Sequence, residues 1–141
     1  MFGLNLQGDI MRRILIVEDE ETGKQLLERF MNPYGDVDSV EDGEKAVAAF
    51  ESAWKDASPY QLILLDIMIP KMDGQEVLRW IRNYEREQGI APMQRAKIVM
   101  TTALDDPSNI MESFYNGGAD SYVVKPIELE KLQQELQNLG F

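Results

Sequence analysis

Leu62-Ile-Leu-Leu65 runs without a polar break into Asp66, and a turn, Pro70-Lys-Met-Asp-Gly74, follows at once. A short apolar run of this kind suits a strand buried on both faces, as in a parallel sheet covered by helices. That arrangement puts Asp66 at the carboxyl end of the strand. An isolated acid there reads as a turn-former or a cap. Here the turn has its own cap candidate in Asp73, so Asp66 is not needed for that work. In open parallel sheets ligands bind just beyond the carboxyl ends of the strands. Asp66 is therefore a candidate site residue, and the other strand ends become the places to search.

Three further runs have similar character. Ile14-Leu-Ile-Val17 ends in Glu18-Asp19-Glu20, Lys97-Ile-Val-Met100 ends in Thr101-Thr102, and Ser121-Tyr-Val-Val124 ends in Lys125-Pro126. Val37 to Val40 reads as a shorter strand. Between the strands lie helical patterns. Leu26, Leu27, Phe30 and Met31 make one apolar face, with Thr22 and Gln25 as a capping box. Asp42-Gly43 leads into Ala46, Val47, Ala49 and Phe50, and Ser52 to Pro59 reads as a loop or a frayed helix end containing Trp54. Asp73 with Glu76 forms a second capping box ahead of Val77, Leu78, Ile81 and Tyr84. That helix turns polar at Glu85, and Gly89 to Arg95 reads as a loop. Asp106-Pro107 opens a helix lined by Ile110, Met111, Phe114 and Tyr115, closed by Gly117-Gly118. Leu129, Leu132, Leu136 and Leu139 stripe the last helix. Five strands alternating with five helices through short connections predict a doubly wound parallel α/β sheet with right-handed crossovers. Met11-Arg-Arg makes a natural start, so residues 1–10 read as a flexible extension and 11–141 as one domain.

Charge and composition exclude several functions. The 141 residues carry 25 acids against 14 bases, a net charge of −11, and neither histidine nor cysteine. Such a chain is repelled by phosphate backbones and anionic lipid, so neither nucleic acid nor membrane is an expected partner. Thiolate chemistry, disulfides and a histidine base are ruled out. The longest apolar runs fall far short of a membrane span, and the start has no signal peptide, which leaves the cytoplasm by elimination.

The sheet brings Glu18, Asp19, Asp66, Thr102 and Lys125 to one rim. Each alone reads as a cap, a turn or a solvated end. Together they suit a specific chemistry. Three adjacent carboxylates repel one another, and a hard divalent cation such as Mg2+ relieves that repulsion through oxygen ligands. A lysine and a hydroxyl beside the cation are what a transferring phosphoryl group needs, since its charge lies on its equatorial oxygens.

At these positions the sequence resembles the response-regulator receiver domains of two-component signalling, CheY-like proteins. The resemblance lies in Ile-Leu-Ile-Val-Glu18-Asp19, Leu-Leu-Asp66-Ile-Met-Ile-Pro-Lys-Met-Asp-Gly74, Met-Thr-Thr102-Ala103 and Tyr122-Val-Val-Lys125-Pro126, and it covers Met11 to Phe141. It implies the flavodoxin-like strand order 2-1-3-4-5. It also implies that Asp66 accepts a phosphoryl group from a sensor histidine kinase or histidine phosphotransfer protein. Asp19, Asp66 and the Met68 backbone carbonyl would hold Mg2+, with Glu18, where the family often has Asp, acting mostly through water. Thr102 and Lys125 would contact the phosphoryl oxygens. Tyr122 would be an aromatic switch coupled to Thr102, and Lys125-Pro126 a cis peptide. Of the two threonines, Thr102 matches because Ala103 follows it. The implied output surface, made by the fourth helix, fifth strand and fifth helix, would dock a downstream protein and is also a candidate homodimer interface. By the same resemblance, Met68 and Leu104 occupy the positions that control hydrolysis of the phosphoryl group, which predicts a slowly reset switch. Such a protein is mainly a signalling device that catalyses its own phosphotransfer and slow autodephosphorylation.

Three alternatives are weaker. A haloacid-dehalogenase-type phosphohydrolase also uses a strand-end aspartate, but needs a second aspartate two residues later, where this chain has Met68. A flavodoxin-like FMN protein needs a phosphate-cradling loop where this chain has the acids Glu18 to Glu21. A degenerate receiver acting only as a scaffold would not retain Asp66, Thr102 and Lys125.

Overall fold

The computed structural model describes residues 12–103 and 107–141. The expected extension at residues 1–10, Leu104 and the Asp106 cap all lie outside the described residues. Five parallel strands, β1 (Arg13–Val17), β2 (Asp36–Val40), β3 (Leu62–Asp66), β4 (Lys97–Thr102) and β5 (Ser121–Val124), form one sheet in the order β2-β1-β3-β4-β5. Their connections carry α1 (Glu21–Met31), α2 (Gly43–Lys55), α3 (Gly74–Glu87) and α4 (Pro107–Met111), and α5 (Leu129–Asn138) follows β5. The doubly wound flavodoxin-like fold is thus the one the sequence predicts.

The sheet has an apolar layer on each side. Ile14, Ile16, Leu62, Leu64, Val99 and Val123 point to one face, where Leu27 and Met31 of α1 and Leu132 and Leu136 of α5 cover them. Leu15, Val17, Ile63, Leu65, Ile98 and Met100 point to the other, under α2 and α3. All five residues of β3 are buried, which accounts for its unbroken apolar run. Truncating one of its leucines to alanine should cost about 2–5 kcal/mol.

The structure corrects several local readings. Thr22 lies inside α1 and caps nothing: the N-cap is Glu20, which makes no side-chain capping bond, and Gln25 Nε2 donates instead to Glu21 Oε1 at 3.1 Å. Leu26 is exposed and contributes little to the core, as is Leu129 in α5. Of the two readings of Ser52 to Pro59, the helix end holds for Ser52 to Lys55, which continue α2 because Ala53 and Trp54 pack on the α2–α3 side. Glu85, read as the start of a polar end, is fully buried, with Arg82 and the Ala96 amide satisfying its two oxygens. The loop at 89–95 contains a 3₁₀ turn at Pro92–Gln94. Helix α4 is short and continues as a π-helical segment, Glu112–Gly117, ended by Gly118 at φ +79°. Met111, Phe114 and Tyr115 point outward from it.

The other capping box holds at its N-cap: Asp73 accepts from the Glu76 amide at 2.9 Å, and Asp42 likewise caps α2 through the Lys45 amide at 2.8 Å. No helix among the described residues is long and apolar enough to cross a membrane.

Candidate functional site

The carboxyl ends of β1, β3, β4 and β5 deliver the expected residues to one rim. β1 and β3 are adjacent, with Val17 opposite Leu65, so Glu18 and Asp66 follow side by side. Carboxylate oxygens of Glu18, Asp19 and Asp66 lie within 4.8 Å of one another. Glu18 and Asp66 are buried, whereas Asp19 faces solvent.

Lys125 joins two of these acids. Its ammonium donates to Glu18 Oε1 at 2.5 Å and to Asp66 Oδ2 at 2.8 Å. Burial alone would lower the pKa of this ammonium, but its hydrogen bonds to Asp66 and Glu18 outweigh that effect and raise it above the ordinary lysine value. The remaining carboxylate oxygens are held by backbone: Asp66 Oδ1 accepts from the Met68 amide and Glu18 Oε2 from the Glu20 amide, both at 3.1 Å. The acids are thereby fixed in place before any ligand arrives. Asp19 stays open to solvent, and Met68 projects outward with 63% of its surface exposed. The three-carboxylate oxygen donor set fits a hard cation such as Mg2+.

The threonines divide between the two faces of the sheet. Thr101 is the register partner of Asp66 and of Val123, and it shares the α1–α5 face. Its hydroxyl is buried without a hydrogen-bond partner. Thr102 pairs with Val124, two positions beyond the Met100–Tyr122 pair, so Thr102 and Tyr122 share the opposite face. Thr102 is fully buried, its carbonyl accepts from the Lys125 amide at 2.7 Å, and Tyr122 packs against the α2–α3 core. The Lys125–Pro126 peptide is cis.

Gly74 has a role beyond its turn that sequence reasoning did not assign. A Cβ there would stand 2.2 Å from the Asp66 carbonyl oxygen and 2.6 Å from Ile67 Cα. The Asp-Gly pair at the start of α3 was the available signal, since it marks a turn but not what the turn packs against. Gln75 was also missed. It is buried and donates to Ser113 Oγ at 2.8 Å and to the Asn109 carbonyl at 3.2 Å, tying α3 to α4 and the π-helical segment.

Comparison with known proteins agrees with this geometry. The family model described as the response regulator receiver domain matches residues 14–137. The chain is 33% identical over 122 residues to the two-component response regulator ORR41 of Oryza sativa subsp. japonica, covering 86% of this chain and 89% of that protein. It is 36% identical over 131 residues to the transcriptional regulatory protein CiaR of Streptococcus pneumoniae, covering 92% of this chain but 51% of that protein, so it spans about half of that relative. Among solved structures it matches a chain of the CheX–CheY–BeF3–Mg2+ complex from Borrelia burgdorferi with a TM-score of 0.79, 28% identity, and coverage of 99% and 96%. The chain belongs to the response regulator receiver domain family of two-component phosphorelay signalling.

Proposed function

We propose that Asp66 is the phosphoacceptor, and that its phosphorylation by a histidine kinase or histidine phosphotransfer protein switches the surface formed by α4, β5 and α5. The observation that carries this reading is the Lys125 ammonium spanning Glu18 and Asp66 beside the open carboxylate of Asp19. An Asp66 carboxylate oxygen attacks phosphorus, the bond from phosphorus to the donor imidazole nitrogen breaks, and its electron pair returns to that ring. Asp19, Asp66 and the Met68 carbonyl would hold Mg2+, with Glu18 acting through water. The cation would offset the charge on the phosphoryl oxygens.

Lys125 would move from the carboxylates to a phosphoryl oxygen, and Thr102 would donate to another. Because Thr102 and Tyr122 share a face, withdrawal of Thr102 toward the phosphoryl group opens space for the ring and biases a two-state shift of α4, β5 and α5. A downstream protein, or a second copy of the chain, would read that face, in the cytoplasm. The outward side chains of Met111, Phe114 and Tyr115 suit such docking.

The test is intact-mass measurement after incubation with acetyl phosphate. One phosphoryl group is expected on the wild type with magnesium, and none on Asp66→Asn or in EDTA. A label that persists in Asp66→Asn would sink the assignment.

A further inference from the structure

A cleft of about 500 Å³ lies at the opposite, amino-terminal edge of β4 and β5, remote from Asp66. It is basic in a chain whose net charge is −11: Arg79, Arg82, Arg86, Arg95 and Lys97 line it, with Asp120 as its acid. The cations differ in how far they are already satisfied. Arg82 is engaged at all three of its nitrogens, with pairs to Glu85 Oε1 at 2.7 Å and Asp120 Oδ2 at 2.8 Å and bonds to the Ala96 and Gly118 carbonyls. Those pairs also consume the local acids, since Glu85 Oε2 takes the Ala96 amide and Asp120 Oδ2 takes the Ile98 amide as well. Arg79 is paired with Glu112 on the surface.

Three cations are then left over. Among the described residues Arg86 bonds the Asn83 side chain alone, Arg95 uses its Nε alone, on the Ile90 carbonyl at 3.2 Å, and Lys97 has no side-chain partner. The cleft therefore has a floor, Arg82 with Glu85 and Asp120, that carries one net negative charge, and a rim of three cations, Arg86, Arg95 and Lys97, that outweighs it. Acids elsewhere on the molecule do not cancel that rim, because salt screens exposed charges beyond about 10 Å at ordinary ionic strength.

We propose that this cleft binds a compact phosphate-bearing ligand of nucleotide size. Guanidinium forks match phosphate oxygens bidentately. The volume falls within the range of about 300–1,000 Å³ typical of small-molecule sites. Tyr115, 81% exposed, lies in the same lining and offers a flat face for a base. The overall charge of −11 selects against an extended polyanion, which would meet repelling surface beyond the cleft, and leaves a small one favoured.

The experiment is a titration of the full chain with ADP in low salt and EDTA, followed by amide NMR and calorimetry. ADP is expected to shift the amides of Arg95, Lys97 and Tyr115 and to leave those around Asp66 unmoved. Adenosine should produce no such shifts, and inorganic phosphate should bind more weakly than ADP. Arg95→Gln combined with Lys97→Gln should weaken ADP by about tenfold or more, and Lys97→Gln alone should weaken it less with the melting temperature unchanged, since the Lys97 side chain has no partner among the described residues. Asp66→Asn should bind ADP as the wild type does, which separates this site from the phosphoacceptor. Absence of shifts at millimolar ADP would overturn the proposal, as would shifts confined to the Asp66 rim. An acidic peptide that binds the cleft more tightly than ADP would overturn it in favour of protein docking.

Discussion

Lys125 and Asp66 stand 59 residues apart in the chain and 2.8 Å apart in space, and the same ammonium holds Glu18. Two buried carboxylates thus depend on one cation supplied by another strand.

Removing that cation should be expensive. Lys125→Met leaves Glu18 and Asp66 buried without a positive partner, a loss expected to be about 3 kcal/mol in urea unfolding at neutral pH without metal. Because the folded pKa of Lys125 lies above the ordinary value of 10.5, its contribution is complete below that pH and is lost as pH rises through the higher folded value. The difference between wild type and Lys125→Met should therefore stay level through neutral pH and shrink only in strong alkali. A gap that closes near neutrality would contradict the pairing.

The two threonines should separate cleanly. Thr101 buries a hydroxyl that has no partner, so Thr101→Val should be neutral or stabilising by about 1 kcal/mol, with phosphorylation retained. Thr102→Val should keep the fold yet lose the NMR shifts that beryllofluoride induces at Tyr122. If Thr101→Val abolishes those shifts instead, the coupling runs through the wrong residue.

The lifetime of the phosphoryl group tests Met68 and Leu104. Neither side chain can orient a water by hydrogen bonding, and in-line hydrolysis needs a positioned water. Met68→Asn and Leu104→Glu together should speed decay of the purified phosphoprotein by about tenfold. An unchanged decay rate would dismiss these positions as determinants of the lifetime.

Gly74→Ala tests the close approach at the start of α3. With a Cβ only 2.2 Å from the Asp66 carbonyl oxygen, the loop must shift, at a cost of about 1–3 kcal/mol and with slower phosphorylation. Wild-type stability and rate in this variant would show that the loop yields freely.

The strands and the rim were legible because both rest on strong local signals. Unbroken apolar runs mark strands buried on two faces, and a parallel sheet places their carboxyl ends on one edge. Lys125 bridging Glu18 and Asp66 was not legible, since a residue list gives no distances. Thr22 with Gln25 matched a capping pattern that the fold passes over, because α1 starts at Glu21, directly after the turn held by Glu18. Glu85 looked like surface because its two partners, Arg82 and the Ala96 amide, lie on either side of it in the chain and converge only in the fold. Tyr115 kept helical spacing with its apolar neighbours, but spacing alone cannot show that a short, π-distorted helix turns that stripe to solvent.

The loop after Asp66 is fastened from several sides. The Gly43 amide donates to the Pro70 carbonyl at 3.2 Å, the Gly74 amide to Ile67 at 2.8 Å, and Lys71, held in the left-handed region at φ +72°, lies 3.8 Å from the Asp42 carboxylate. Asp66 therefore sits on a mount with little freedom to recoil. Under the proposed phosphorylation, charge added to such a residue would be accommodated by displacement of whatever surrounds it, and the signal would run away from β3, across β4, toward β5.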